Sequence, residues 1–188
     1  MRLIRAAWRW TRSGWRTLRL RFHRVALLES IQGGEHLIVK GKIVVCHPEK
    51  LALGKWVYIG EDAYFNCLGG ISIGDHTVIS RRVVVYSYDH NFRMPQMLPF
   101  DDEVVRRPVR IGRYLWIGMG ATIAPGTQIG DGAVIGIGTV VSGDIPANAI
   151  VVGAQARIIG YRDEARVRQL VEQGRFFAER LPSAASTN

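Results

Sequence analysis

Residues 111–146 read IGRYLWIGMGATIAPGTQIGDGAVIGIGTVVSGDIP. Stepping by six from Ile111 lands on Ile117, Ile123, Ile129, Ile135 and Val141, all β-branched. The residue after each is Gly112, Gly118, Ala124, Gly130, Gly136 or Ser142, always small. Four residues on from each start stand Leu115, Ala121, Thr127, Ala133, Thr139 and Ile145, mostly small. A period of six is neither the 3.6 of a helix nor the two of a strand. It fits a short extended segment followed by a turn. Three such units close a triangular coil of about 18 residues. Stacked coils pair their backbones as parallel strands and pile the β-branched side chains into a core. A sandwich of short strands is the alternative, and six hexads in phase argue against it.

The beat also runs upstream. Leu53, Ile59 and Phe65 are in step. Two extra residues near Gly69–Gly70 intervene before Ile73, Ile79 and Val85. Residues 37–52 read as a degenerate coil. At Asp89–His90 the beat stops, and it returns at Ile111. Residues 91–110 therefore form a loop inside a compact repeat, and such long interruptions usually carry function.

The composition fits one domain with an arm. The net charge is +9, yet residues 1–30 hold eight Arg against Glu29, so the body is nearly neutral. At helical spacing Ile4, Trp8, Thr11, Trp15, Leu18, Phe22 and Val25 share one stripe beside a row of arginines. That pattern suits an amphipathic helix on an anionic membrane surface, with a cap on the open end of the solenoid, nucleic-acid binding or a targeting arm as the alternatives. No run of about 18 apolar residues is present, so no spanning helix is expected, nor is a cleaved signal peptide. Two cysteines make no disulfide framework and suit a reducing compartment. The location expected is cytoplasmic, peripheral to the membrane. The divisions expected are a basic arm over 1–30, a β domain over 31–160, and a helix with a disordered tail over 161–188.

Asp89 and His90 end the regular pattern, and each has a chemical use. Histidine titrates near working pH, so it can take a proton from a hydroxyl. Asp89 falls on the fifth slot of its hexad, which others fill with Val, Ala or Thr. It either orients His90 or caps a turn. The five histidines show no close ligand spacing within the core hexads, so no metal is expected.

The segment WIGMGATIAPGTQIGDGAVIGIGTVVSGDIPANAIVVGAQARIIG (116–160), with ISIGDHTVIS followed by YDHNF, resembles the hexapeptide-repeat acyltransferases. The likeness is to the branch of galactoside, maltose and nodulation-factor O-acetyltransferases and polysaccharide-modifying enzymes, and it covers about residues 53–160. The resemblance implies an all-β fold, a left-handed parallel β-helix. It implies a homotrimer with acyl-coenzyme A between subunits and no nucleic acid partner. His90 matches the general base, the Met119 backbone N–H the oxyanion donor, and Trp116 a tryptophan beside the thioester arm. Asn66 matches an acceptor-binding asparagine, with Tyr88 and Asn91 nearby. Gly118, Gly136, Gly138 and Ser142 would lie along the pantetheine arm, and Arg157 and Arg162 near the phosphates. Two positions depart from the family: Ser142–Gly143 stands where Thr-Lys is common, and Gln155 where Pro is common.

The activity so implied is transfer of acetyl from acetyl-coenzyme A to a sugar hydroxyl of a surface or exported glycan, carried in one version on a lipid. An N-acetyltransferase acting on an amino sugar or drug is the alternative. A silent β-helix scaffold is a third reading, and donor binding separates it from the other two.

Overall fold

A computed structural model describes residues 30–92, 100, 102–154, 157–176 and 179. The basic arm, Gln155, most of the 93–101 stretch and the final PSAASTN lie outside the described residues.

The chain winds as a parallel β-helix of about six coils with three flat faces. The first face stacks Gln32–Gly33, Leu51–Leu53, Ile71–Ile73, Val109–Ile111, Gln128–Ile129 and Asp144–Ile145. The second stacks Ile38–Val39, Tyr58–Ile59, Val78–Ile79, Trp116–Ile117, Val134–Ile135 and Ala149–Val152, and Arg157–Tyr161 then folds back antiparallel on the last. The third stacks Val44–Cys46, Tyr64–Asn66, Val84–Tyr86, Thr122–Ile123 and Val140–Val141. The in-phase Ile and Val residues sit one above another: Leu53, Ile73, Ile111, Ile129 and Ile145 form one such column. All are buried, as are the fifth-slot residues Leu115, Ala121, Thr127, Ala133 and Thr139. These inward columns are the core.

Why the second slot is so often glycine is visible at the first and second corners. A Cβ on Gly118 would stand 2.7 Å from the backbone nitrogen of Ile137, and one on Gly130 2.5 Å from that of Ala147. The next coil passes too close for a side chain. The fourth slot carries a second demand, a left-handed backbone. Gly120, Gly126, Gly132 and Gly138 meet it at φ 64–82°. Upstream, His36, Trp56, Asp62, His76 and Arg82 adopt it at φ 55–58°, as does Tyr114 at 63°. Left-handed geometry is unfavourable for residues with a Cβ. It is held here by backbone ladders: the N–H of Trp56, His76, Tyr114 and Gly132 donates to the carbonyls of Glu35, Lys55, Asp75 and Arg113.

The first corner stacks its third-slot residues as Glu35, Lys55, Asp75, Arg113 and Asp131, alternating in charge. Lys55 Nζ lies 2.7 Å from Glu35, and Arg113 Nη2 2.6 Å from Asp131. The backbone N–H of Lys55 donates to Asp75 Oδ1 (2.8 Å), and that of Arg113 to Asp131 Oδ1 (2.7 Å). Exposed pairs of this kind contribute little stability each. Slipping one coil against the next would set like charges side by side, so the ladder favours the observed register.

Every change in coil length falls at the third corner. From Val45 to Leu53 and from Phe65 to Ile73 the chain takes eight steps. From Val85 to Ile111 it takes twenty-six, from Ile123 to Ile129 six, and from Val141 to Ile145 four. The sixth hexad is thus cut short: Gly143, at φ 80°, turns the chain early, and Ile145 opens a new coil instead of filling a fifth slot.

The C-terminal helix is shorter than expected over 161–180. Tyr161 ends the returning strand, and the helix spans Glu164–Glu172. Asp163 caps it, its side chain accepting from the Arg166 N–H at 2.9 Å, and Gly174 at φ 60° ends it. The expected apolar patch of Val167, Leu170 and Val171 lies over the second face, and Val167 reaches the fifth coil, its Cγ1 3.7 Å from where a Cβ on Gly132 would stand. It encloses a cavity of about 400 Å³ with Val78, Leu115 and Trp116.

His76 anchors this segment. Its ring stacks on Phe176 at 3.6 Å, with Tyr114 beyond. Glu179 Oε1 is 3.4 Å from Nδ1, a charge contact without hydrogen-bond alignment. Burial pushes the His76 pKa below its ordinary value of 6.5, outweighing Glu179 and Asp75, which act the other way. The unfolded chain therefore binds the extra proton more readily. The stabilisation from a neutral His76 is complete above pH about 6.5 and declines as pH falls below it. Thermal melts from pH 8 to 5 should show that loss, and His76→Asn, which tolerates the left-handed backbone, should flatten this part of the profile.

Candidate active site

The third coil leaves its path at Ser87. That residue is fully buried; its hydroxyl donates to the Asn66 carbonyl at 2.8 Å and accepts the Gly69 N–H at 2.9 Å. Beyond it, Tyr88–His90 pairs antiparallel with Val104–Arg106, His90 lying opposite Val104. The Arg107 N–H returns to the Ser87 carbonyl at 2.8 Å and closes the excursion. So the stretch expected as an irregular loop over 91–110 has an ordered base, and the beat resumes at Val109, which pairs with Ile71. His90 stands on a ribbon projecting from the coil, not at the end of the coil itself.

This changes the reading of Asp89. It fills no hexad slot, because the chain has already turned outward; it pairs with Val105 across the ribbon. Its Oδ1 accepts the backbone N–H of the next residue, His90, at 2.9 Å. Asn91 is committed similarly: its N–H donates to the Glu103 carbonyl (3.2 Å) and its side-chain amide to Glu103 Oε2 (3.1 Å).

Around His90 the side chains form an aromatic series. Tyr64 stacks on Tyr86 (5.5 Å between centroids), Tyr86 leans on Tyr88 (5.7 Å), and Tyr88 meets the His90 ring edge-on (5.8 Å, 77°). Phe100 then stacks on His90 face to face at 4.1 Å. The Tyr86 hydroxyl donates to that of Tyr64, which also contacts Cys46 Sγ at 3.6 Å. The bonds to Tyr86 and Cys46, then burial, push the Tyr64 pKa upward, so this phenol stays protonated. In the same outward patch Asn66 is 8% exposed, and its Oδ1 has no hydrogen-bond partner among the described residues. A buried amide oxygen left unpaired is costly unless something supplies a donor. Cys67 behind it is a buried thiol, its pKa pushed by burial up to about 12.

Met119 stands elsewhere, at the second corner. There the third slot runs Glu61, Arg81, Met119, Ile137. The first two form an ion pair at 2.7 Å, but the next two are apolar and exposed, Met119 at 39%. With Ile137 at the level where Asp131 caps Arg113 at the first corner, no acceptor among the described residues takes the Met119 N–H. Trp116 is 56% exposed on the adjoining face, its Nε1 donating to Ser80 Oγ at 3.3 Å.

Within one chain the expected residues thus form separate groups. Asn66, Tyr88 and His90 gather at the third corner. Met119, Gly118, Gly136 and Gly138 lie at the second, across the width of the third face. Trp116 and Arg162 share the cavity under the helix, Arg162 also donating to the Gly132 carbonyl at 3.1 Å. Ser142 lies at the shortened third corner, and Arg157 is exposed at the start of the returning strand. Sequence reasoning missed Phe100 as a partner of His90, Ser87 as the hinge, and Tyr64 and Tyr86. A small polar residue three before the histidine was the one available signal for Ser87. Among the described residues no three His, Cys, Asp or Glu side chains gather as a metal site.

The comparisons with known proteins agree with this architecture. Residues 108–143 match the family model "Bacterial transferase hexapeptide (six repeats)". The chain is 46% identical over 116 residues to nodulation protein L of Rhizobium meliloti (strain 1021), covering 55% of this chain and 59% of the relative. A maltose O-acetyltransferase of Clostridium difficile 630 superposes with a TM-score of 0.66 at 31% identity, over 73% of each chain. A hexapeptide-repeat acetyltransferase of Vibrio cholerae O1 biovar eltor, complexed with acetyl coenzyme A, does so at 0.69 with 25% identity, over 76% of this chain and 79% of that one. The chain belongs to the hexapeptide-repeat transferase family. The matches to the first curated relatives span 59–60% of those proteins' length.

Ser87→Ala removes two buried hydrogen bonds and strands the Gly69 N–H, while the Asn66 carbonyl keeps the Ser87 N–H at 3.1 Å. It should cost about 1–3 kcal/mol in denaturant unfolding and raise amide exchange at Gly69 and Arg107.

Proposed function

We propose that this protein is an acetyl-coenzyme A-dependent O-acetyltransferase acting on a sugar hydroxyl, assembled as a homotrimer with its sites between copies. The observation that carries the reading is the opening of the solenoid at one corner to present His90, ring held by aromatic neighbours, beside the unpaired amide oxygen of Asn66. Supporting it are a solved maltose O-acetyltransferase and a solved relative holding acetyl coenzyme A.

Acetyl-coenzyme A supplies the acetyl group as a thioester. His90 takes the proton of the acceptor hydroxyl as its oxygen bonds to the carbonyl carbon. The Met119 N–H donates to the carbonyl oxygen as it gains charge. His90 then returns the proton to the sulfur as the carbon–sulfur bond breaks. A second copy accounts for the separation of the groups: the third corner of one protomer brings His90 to the apolar second corner of its neighbour, where Met119 and Ile137 are exposed. The small residues Gly118, Gly136 and Gly138 let the pantetheine arm lie against the backbone there, with Trp116 beside it and Arg157 and Arg162 toward the phosphates. Ser142–Gly143, in place of a lysine, leaves that phosphate contact weaker. Asn66 and Tyr88 face the sugar. The acceptor belongs to a surface or exported glycan, and the basic arm over 1–25 keeps the enzyme at the anionic cytoplasmic face of the membrane. Among the described residues no helix is long and apolar enough to cross that membrane.

His90→Ala should lower transfer by about 10²–10⁴-fold, with the trimer unchanged in light scattering; full activity in the variant would end the general-base assignment. Met119→Ala, which keeps the N–H, should stay within a few-fold of wild type. Met119→Pro, which removes it, should lose about 10²–10³-fold, with coenzyme A binding followed by thermal shift as the control for folding.

A further inference from the structure

Phe100 reaches His90 from the far side of the excursion. The pairing of His90 with Val104, and the two bonds from Asn91 to Glu103, close the base of the ribbon directly beyond the histidine. Phe100 stacks on the imidazole with ring centroids 4.1 Å apart and planes 20° from parallel. Tyr88 holds the same ring edge-on from its own strand. The imidazole is therefore bounded on one face by the outgoing chain and on another side by the incoming one.

We infer that Phe100 is a positioning residue for His90, fixing the imidazole plane so that a ring nitrogen meets the acceptor hydroxyl; this rests on the general-base role proposed above. Two features of the ribbon carry it. A face-on stack engages the π surface and leaves the in-plane nitrogens available, so the ring is held without using the atoms that move the proton. Asp89 Oδ1 accepts the backbone N–H of His90, and the contacts described at the ring itself come from Tyr88 and Phe100. Phe100 is 43% exposed in the single chain.

The test compares Phe100→Leu and Phe100→Tyr in the full-length protein. In ¹³C–¹H spectra of histidine-labelled protein, with His90→Gln for assignment, the ring protons of His90 should be shifted upfield by the stacked ring. Phe100→Leu should remove that shift and Phe100→Tyr should keep it. With acetyl-coenzyme A and maltose as probes, Phe100→Leu should lower kcat about 10- to 100-fold, leave the KM for acetyl-coenzyme A unchanged, and be rescued by tyrosine. An unshifted His90 in wild type, or one unmoved in Phe100→Leu, overturns the stack. A lost shift with kcat intact overturns the positioning role. Failure of the general-base reading shows separately, as full transfer by the His90→Gln protein.

Discussion

Each coil must come to rest directly on the one before it, and the rest of the molecule follows from that requirement. Parallel strands two or three residues long gain few hydrogen bonds each, so they persist only if all three faces stack in register at once. Register in turn constrains three positions per hexad. The first points inward and is β-branched. The second is glycine at 54, 60, 74, 112, 118 and 130, where the next coil's backbone lies within 3 Å of where a Cβ would be. The fourth turns through left-handed backbone. What remains free is the outward third slot and the outward strand positions, and those are where the chain varies: a charge ladder at the first corner, an ion pair giving way to Met119 and Ile137 at the second.

The third corner escapes these constraints, and the candidate site is built there. Coils before and after it are closed by their own backbone pairs, so the chain can spend four, six, eight or twenty-six steps between one face and the next without disturbing either. The longest of these excursions is the ribbon that carries His90. Ser87 marks the exit, and its hydroxyl accepts the Gly69 N–H that the turning chain would otherwise leave unmet. A rigid scaffold thus holds a histidine on an ordered projection, with aromatic rings rather than hydrogen bonds setting its plane.

Much of this was legible in the residues. The inward column from Ile111 to Val141 announces the solenoid, and the glycines at 112, 118, 130 and 136 mark the crowded slot. The first coil was harder to read, because Gly33 occupies a position that should hold an inward aliphatic, and a short 3-10 turn at Pro48–Lys50 lengthens the third corner. The alternating charges of Glu35, Lys55, Asp75, Arg113 and Asp131 are visible once the coil length is known, but they are 18 to 38 residues apart and follow no local period. Asp89 was misplaced because counting by six assumes that the chain is still on its path. Nothing in the spacing marks the departure at Ser87, and nothing local joins Phe100 to His90, since contacts across an excursion depend on how it folds back. The helix over 164–172 showed its apolar stripe in sequence, but the stripe does not say which coils it covers.

That all length variation gathers at one corner has a consequence for how such proteins diversify. Two of the three corners answer to the stacking rule and are closed to insertion; the third behaves as a socket whose contents can be exchanged while the frame stays intact. A lineage built on this frame can acquire new acceptors by lengthening, shortening or replacing a single excursion, leaving the apolar second corner and its glycines untouched. Mutational drift and recombination should therefore be tolerated very unevenly around the solenoid, and an engineer grafting a foreign loop has one address at which to do it.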